Sequence, residues 1–366
     1  MLGNRTIAVV IPAYNEERQI GKVLENMPGF VDRIIVVNDH SSDRTEEIVK
    51  SFMEKDDRDH SSDKIGPRPI LKNDYNEAEM VLQEYDRREI DYFTPSVVVN
   101  QKPETDRVIL ITHQKNGGVG TAIARGYKWC KDNNIECTAV MAGDGQMDPL
   151  ELEDICRPVL DEGIDYVKGN RLIHRSAKFV IPRTRYFGNS ILSILTKMAS
   201  GYWRISDTQT GYTAISLNAL KKIDIHNIYP GYGMPNDMLV RLNLARCTIK
   251  EVEIKPVYRI GERSKMKIVR VIPRVSWLLF KAFFRRIWVR YFKRDFHPLF
   301  LLYILGIMLF MSSIPFLVEI LRNLFVAGKV TPNSVLMIYI FLVISGLQSW
   351  LFAMWMDIQD NDRLQK

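Results

Sequence analysis

Two long stretches without a charged side chain constrain this chain more than anything else in it. Pro298 to Val318 covers 21 positions, and Val330 to Met356 covers 27, with no Asp, Glu, Lys or Arg in either. A helix needs about 20 residues to cross the hydrocarbon core of a bilayer. A helix packed on a water-soluble domain ordinarily keeps a polar stripe, and neither run has one. Two transmembrane helices are expected, over residues 296–322 and 332–357, joined by a short turn around Gly328 and Pro332. Arg285, Arg286, Arg290, Lys293 and Arg294 precede the first run, whereas the connecting segment offers only Arg322 and Lys329. Cytoplasmic flanks are the basic ones, so an integral membrane protein with its N-terminal region and both termini cytoplasmic is expected. Ile7–Ile11 is too short for a signal peptide and runs into Pro-Ala-Tyr-Asn-Glu-Glu.

Charge is as unevenly distributed as hydropathy. The chain has 366 residues with 50 basic and 43 acidic side chains, a net +7. Arg259 to Arg294 alone holds twelve basic residues and one acid, a local +11 that leaves −4 for everything else. Basic charge confined to one block beside a membrane segment does not make a nucleic-acid-binding protein. Trp277, Leu278, Phe280, Phe283, Phe284, Ile287, Trp288 and Tyr291 interleave with these cations. Residues 267–295 are therefore expected as interfacial amphipathic helices on an anionic lipid surface, with the cations of Lys281 to Arg294 holding the domain there. Cys130, Cys137, Cys156 and Cys247 have no metal-site spacing and read as packing residues.

Upstream, apolar β-branched runs alternate with helical patterns. Ile7–Ile11, Arg33–Asn38, Arg107–Thr112 and Thr138–Met141 read as strands, with helices over 16–26 and 120–131. That alternation predicts an α/β domain over residues 1–266 with a Rossmann-like, mostly parallel sheet and ligands at the carboxyl ends of its strands. Residues 53–106 interrupt it with 14 acids and 8 bases and read as an insertion, with a possible helix over 74–90 and a β-like run over 96–100.

Each polar motif falls just after a strand. Pro12-Ala-Tyr-Asn-Glu-Glu17 follows the first, and Asn38-Asp39-His-Ser-Ser-Asp43 the second. Carboxylates there accept hydrogen bonds from ribose or base, and Tyr14 suits a base face; Asn15, Ser42 and Asp43 are equally suited to cap helices. Lys115-Asn-Gly-Gly-Val-Gly120 opens the next helix, where backbone amides approach a phosphate, but it is neither a P-loop nor a dinucleotide fingerprint. Met141-Ala-Gly-Asp144-Gly-Gln146-Met-Asp148-Pro149 places a glycine-flanked carboxylate and a carboxamide at a strand end, oxygen ligands suited to Mg²⁺ or Mn²⁺.

Together these blocks resemble the family 2 glycosyltransferases, and among them the polyprenyl-phosphate type that includes dolichyl-phosphate mannose and glucose synthases. The resemblance rests on VVIPAYNEE, VVNDHSSDRT, KNGGVGTAIARG, MAGDGQMDP and KGNRL, in that order, over residues 5–52 and 107–270. It implies a GT-A fold, a nucleotide-sugar donor, Mg²⁺ or Mn²⁺, and inverting transfer of glucose, N-acetylglucosamine or mannose to a polyprenyl phosphate. It implies donor contacts at Pro12, Tyr14, Glu16, Asp39, Lys115, Gly118 and Asp144, a metal at Asp144 and Gln146, and acceptor phosphate at Arg171, Arg185 and Asn189. Asp237 takes the family's acidic position near the acceptor, and Arg259 and Lys265 would cover the donor diphosphate. Ala142 departs from the pattern, standing where the family's Asp-x-Asp motif has its first acid. The departure leans toward UDP-sugars. A processive polysaccharide synthase, or a non-catalytic scaffold on a nucleotide-sugar fold, remain as alternatives, and homo-oligomers stay open.

Overall fold

The computed structural model describes residues 2, 5–55, 66, 73–181, 183–257, 268–326 and 329–366. Side chains 183–187, 189 and 268–270 lie outside that description, as do Arg259 and Lys265 altogether. The strands are β1 (Ile7–Ala13), β2 (Arg33–Asn38), β3 (Ser96–Val98), β4 (Val108–His113), β5 (Cys137–Val140), β6 (Tyr166–Asn170), β7 (Thr213–Ser216) and β8 (Ile249–Glu253). The helices are α1 (Ile20–Glu25), α2 (Thr45–Lys55), α3 (Glu77–Arg88), α4 (Val119–Asp132), α5 (Leu152–Asp161), α6 (Ala177–Val180), α7 (Arg183–Ser200), α8 (Leu217–Lys222), α9 (Met234–Leu244), α10 (Ile268–Trp288), α11 (Pro298–Phe325) and α12 (Asn333–Asp362).

One eight-stranded sheet runs β3-β4-β2-β1-β5-β7-β6-β8. Its centre is parallel, with β1 paired to β2 and β5, and β2 to β4. These strands are near-continuous apolar runs because helices cover both of their faces. Alternation then divides the core: Ala8, Val10, Ile35, Val37, Ile109 and Ile111 face α4, α8 and α9. Ile7, Val9, Ile11, Ile34, Val36 and Leu110 face the side of α1 and α5. β7 runs antiparallel between β5 and β6, which returns β6 to the direction of β5. The carboxyl ends of β1, β2, β4, β5 and β6, and the entry to β7, therefore share one edge.

The α11–α12 pair is a helical hairpin. Both helices are long and apolar enough to cross a membrane, and only 17% and 6% of their most apolar windows are buried, unlike core helices of a soluble domain. Gly306 and Gly346 meet at the crossing: a Cβ on Gly306 would lie 3.2 Å from the Gly346 carbonyl oxygen, the close approach small residues permit.

Three expectations change in detail. The first helix begins at Ile20, because residues 16–19 form a turn in which the Gln19 and Ile20 amides donate to the Glu16 carbonyl. The segment expected as interfacial helices is a single helix, α10, running into a π-helical turn at Val289–Arg294. And α12 continues past its apolar run through Asp357, Asp360 and Asp362, after which Gln365 pairs with Ile249 beside β8.

Candidate active site

The first half of the candidate site, which the family resemblance assigns to the donor, is built where the loops after β1, β2 and β4 meet. Asn15 and His40 take left-handed backbone conformations (φ 54° and 60°) that turn both loops sharply. The loops are stitched together: the Asn15 amide donates to Ser41 Oγ (3.0 Å), the Ser42 amide to Asn15 Oδ1 (2.8 Å), and the Glu16 amide to Thr45 Oγ1 (2.8 Å). Asp43 accepts from the Thr45 amide (3.0 Å), the capping role expected of it. Tyr14 is left 40% exposed beside this knot, and Pro12 and Glu16 are partly exposed, accessible to a ligand.

Asp39 is the keystone of that half. It is buried, and its carboxylate accepts from the Gly117 amide (2.8 Å), the Gly118 amide (2.8 Å) and His113 Nδ1 (2.8 Å). Burial pushes its carboxyl up, but these hydrogen bonds outweigh burial and hold it below the ordinary carboxylate value. Asp39 thus sets the shape of the glycine loop. Gly118 has φ 94°, and a Cβ on Gly120 would lie 1.9 Å from the Tyr229 carbonyl oxygen, so both positions demand glycine. The Gly120 amide donates to the Pro230 carbonyl (2.8 Å), and the Tyr229 amide to Asp237 (3.0 Å), which links the glycine loop to the start of α9. Lys115 is exposed at the loop's start.

The loop after β5 carries Asp144 and Gln146. Gly145 turns it with φ 74°, and the Gln146 amide donates to Asp144 Oδ1 (3.0 Å). Asp148 accepts from the Leu150 amide (3.0 Å) and caps the turn at Pro149. Among the described residues no three or more His, Cys, Asp or Glu side chains cluster as a metal site. One carboxylate and one carboxamide fit a hard cation that takes its remaining oxygens from water and a diphosphate, the habit of Mg²⁺. Ala142, whose amide donates to Met147 Sδ (3.2 Å), adds no ligand.

The second half of the candidate site, which the family resemblance assigns to the acceptor, surrounds the end of β6. Asp207 takes Arg171 in a two-pronged ion pair, Nε to Oδ2 at 2.8 Å and Nη2 to Oδ1 at 3.0 Å, which fixes the guanidinium plane. Behind them lies Lys168, wholly buried, donating to the Thr210 carbonyl. Glu251 on β8 accepts from the Ser206 and Asp207 amides (2.9 and 3.0 Å) and from Asn170 (2.7 Å). Burial lifts the Asp207 carboxyl, and the Arg171 charge brings it back below normal. Burial raises Glu251. Burial also depresses Lys168 from 10.5 to about 8, with Asp207 and Glu251 pulling back up and Arg171 pushing down.

Because Lys168 is depressed, the unfolded chain binds the extra proton between about pH 8 and 10.5, so this group makes stability rise with pH across that window and leaves it flat below. A functional consequence follows. Once Lys168 is neutral, Asp207 loses the second of its two counter-charges and grips Arg171 harder. Acceptor turnover is expected to fall above about pH 8, and Lys168→Met should abolish that alkaline limb. An initial-rate pH profile of both proteins checks this.

Asp237 is buried in the first turn of α9, accepting from Arg241 Nε (2.6 Å) and the Tyr229 amide (3.0 Å), with Arg285 at 3.9 Å. Its carboxylate braces α9 against α10. Arg185 and Asn189 fall on α7, with side chains outside the described atoms. His113, Lys168 and Glu251 were not picked out from sequence. Lys168 lies inside the KGNRL block, and that was the available signal. Nothing in IKEVE marks Glu251, which depends on β8 pairing beside β6.

Two cations of the basic block, Arg286 and Arg290, are put to a different use from the one expected. Arg286 is wholly buried against Asp357 and Arg290 pairs with Asp360 (2.6 Å), because the polar end of α12 folds back beside α10. Lys281, Arg285, Lys293 and Arg294 remain exposed, beside an exposed aromatic face of Trp277, Phe280, Phe284 and Trp288.

The family model for glycosyl transferase family 2 matches residues 8–61 and 92–224. The chain belongs to that family and is a glycosyltransferase with the GT-A arrangement of an α/β sheet. Among its relatives, a UDP-N-acetylglucosamine–dolichyl-phosphate N-acetylglucosaminyltransferase of Methanococcus voltae is 26% identical over 258 residues, 70% of this chain and 88% of that one. An uncharacterized protein of Methanocaldococcus jannaschii is 27% identical over 283 residues, 77% of this chain and 92% of that one. Glucosyl-3-phosphoglycerate synthase of Mycobacterium tuberculosis, solved with Mn²⁺, uridine diphosphate and glucosyl-3-phosphoglycerate, superposes with a TM-score of 0.47 at 18% identity, over 77% of this chain and 80% of that one.

Proposed function

We propose that this glycosyltransferase moves a sugar from a nucleotide diphosphate to the phosphate of dolichol or another polyprenol, with inversion at the anomeric carbon. One observation carries the reading: the acceptor half and the membrane hairpin share a core. Leu192 and Ala199 of α7, Val240 of α9, Leu279 and Phe283 of α10, Phe300 and Tyr303 of α11 and Ala353 of α12 pack as one cluster. An acceptor site built onto membrane helices suits an acceptor that resides in the membrane. The relative from Methanococcus voltae, which by its name uses dolichyl phosphate, supports the same reading. The exposed cations and aromatic face of α10 then lie in the headgroup layer of the cytoplasmic leaflet.

A lipid phosphate monoester has its second pKa near ~6 and is largely a dianion at neutral pH. It needs no strong base, which agrees with Asp237 being engaged by Arg241 and a backbone amide. The chain's task is to bring two anions together in line. Arg171, held flat by Asp207, receives the acceptor phosphate together with Arg185 and Asn189. Tyr14, Glu16 and the loop shaped by Asp39 hold the nucleoside. A phosphate oxygen forms the new bond to the anomeric carbon as the bond to the donor diphosphate breaks, and the nucleoside diphosphate leaves, with Arg259 and Lys265 balancing its charge. Mg²⁺ or Mn²⁺, when held by Asp144 and Gln146, supplies further positive charge at the diphosphate.

Incubating the purified protein with labelled UDP-N-acetylglucosamine, UDP-glucose or GDP-mannose, Mg²⁺ or Mn²⁺, and a polyprenyl phosphate tests the reading. A lipid-linked monosaccharide from one donor is expected. Long polymer would favour a processive synthase, and no lipid product from any donor would leave a scaffold. Asp144→Asn is expected to lower transfer by about 10²- to 10³-fold, the usual cost of losing one electrostatic stabiliser, and to remove the Mg²⁺ dependence of nucleotide binding measured by calorimetry.

A further inference from the structure

We infer that the Arg286–Asp357 pair is a positioning latch that sets the acceptor helix α7 against the membrane hairpin and so governs use of a membrane-embedded acceptor. The inference rests on the polyprenyl-phosphate reading above. Arg286 on α10 is wholly buried and meets Asp357 on α12 through two parallel bonds, Nη1 to Oδ1 at 2.7 Å and Nη2 to Oδ2 at 2.8 Å. The same guanidinium donates from Nε to the Ala199 carbonyl (2.9 Å) and from Nη2 to the Met198 carbonyl (3.0 Å). These are carbonyls of the last turn of α7, which lack partners within the helix and form its negative end. One side chain therefore caps the acceptor helix and grips the second membrane helix.

The surroundings are arranged for that contact. Gly201 follows α7 with φ 78°, and a Cβ there would stand 2.8 Å from Arg286 Nη1 and about as close to the amides of Asn361 and Asn243. Asp357 also accepts from Tyr291 Oη (2.7 Å) and Asn361 Nδ2 (2.9 Å). Asn361 Oδ1 accepts from Asn243 Nδ2 (2.6 Å), and Asn243 Oδ1 from Arg290 (2.6 Å), which ties α9 into the same network. Burying an ion pair is costly, and apolar residues of similar volume often stabilise as well or better. What the pair supplies that apolar packing does not is a fixed direction and register among α7, α10 and α12. From Asp357 back to its first residue, Asn333, α12 spans about 36 Å, so a tilt of about 10° about the latch would swing the far end of the hairpin by about 6 Å relative to the acceptor site, while Arg185 and Arg171 keep their places on the catalytic domain.

A lipid held in the bilayer must meet the site at a fixed place relative to the hairpin, whereas a short acceptor in solution need not. The full-length protein, wild type, Asp357→Asn and the double variant Arg286→Met/Asp357→Leu, is assayed with dolichyl phosphate in phosphatidylcholine vesicles and with citronellyl phosphate in detergent. Nucleotide affinity is measured by calorimetry. The double variant removes both buried charges together, so it keeps the test decisive where the single variant fails to fold. Expected is a loss of about 10²-fold in kcat/KM for the vesicle acceptor, the scale of a small misplacement remote from the chemistry, with nucleotide affinity and the citronellyl reaction unchanged. Equal losses on both acceptors, or wild-type transfer to dolichyl phosphate by the double variant, would overturn the latch. Wild-type protein inactive on both acceptors would instead overturn the polyprenyl-phosphate reading on which it rests.

Discussion

Asp39→Ala is expected to remove donor binding and to destabilise the domain by about 3–5 kcal/mol, given that a hydrogen bond to a charged group contributes about 1.5–3 kcal/mol and three of them share this carboxylate without full additivity. Without it the Gly117 and Gly118 amides and His113 lose their acceptor. His113 Nε2 already has no partner among the described residues, so the imidazole has no second bond to fall back on. The glycine loop, which also reaches Pro230, then loses its shape. Asp39→Asn keeps one oxygen and is expected to fall between the two. Thermal unfolding and nucleotide calorimetry on the same samples check this, and full nucleotide affinity in Asp39→Ala would contradict it. The sign with pH is set as well. Asp39 titrates below its ordinary 3.8 in the folded chain, so its contribution is present above that value and is lost as pH falls through the lower folded value.

Arg171→Ala is expected to raise the KM for the lipid acceptor by about 10²-fold while leaving donor affinity intact, since a guanidinium aligned on an anion is worth on the order of 2–3 kcal/mol. Asp207 would then be left buried with Lys168 as its nearest cation. Breaking a buried pair costs about 3–5 kcal/mol where nothing compensates; Lys168 remains and Arg171 is partly exposed, so about 2 kcal/mol is expected here. Asp207→Asn serves as the complement. It leaves the guanidinium charged but loosens its plane, and should raise the acceptor KM less than Arg171→Ala does. Initial rates against acceptor concentration, with donor saturating, separate these outcomes.

The fold was largely legible because its strongest signals are local. Ile7–Ile11 and Arg33–Asn38 are too apolar and β-branched to be anything but buried strands, and polar loops follow them at once. The membrane hairpin was legible from the absence of charge alone. What sequence could not supply was partnership across distance. Arg286 and Asp357 are 71 positions apart, and a cation beside a membrane span reads as a lipid contact until α12 is seen to return beside α10. Asp39 reads as a ligand-facing acid because its position after β2 is visible, whereas the two amides and the imidazole that occupy it are not. Lys168 reads as one residue of a motif, and its burial emerges only from β7 and β8 flanking β6.

In the proposed reaction a phosphate on a membrane lipid attacks the sugar directly and in line. The anomeric configuration and linkage of the lipid product, determined by nuclear magnetic resonance after transfer from an α-configured nucleotide sugar, test it most directly. A β-linked sugar joined through C1 to the lipid phosphate is the predicted result. An α-linked product, or a sugar joined to anything other than that phosphate, would contradict it.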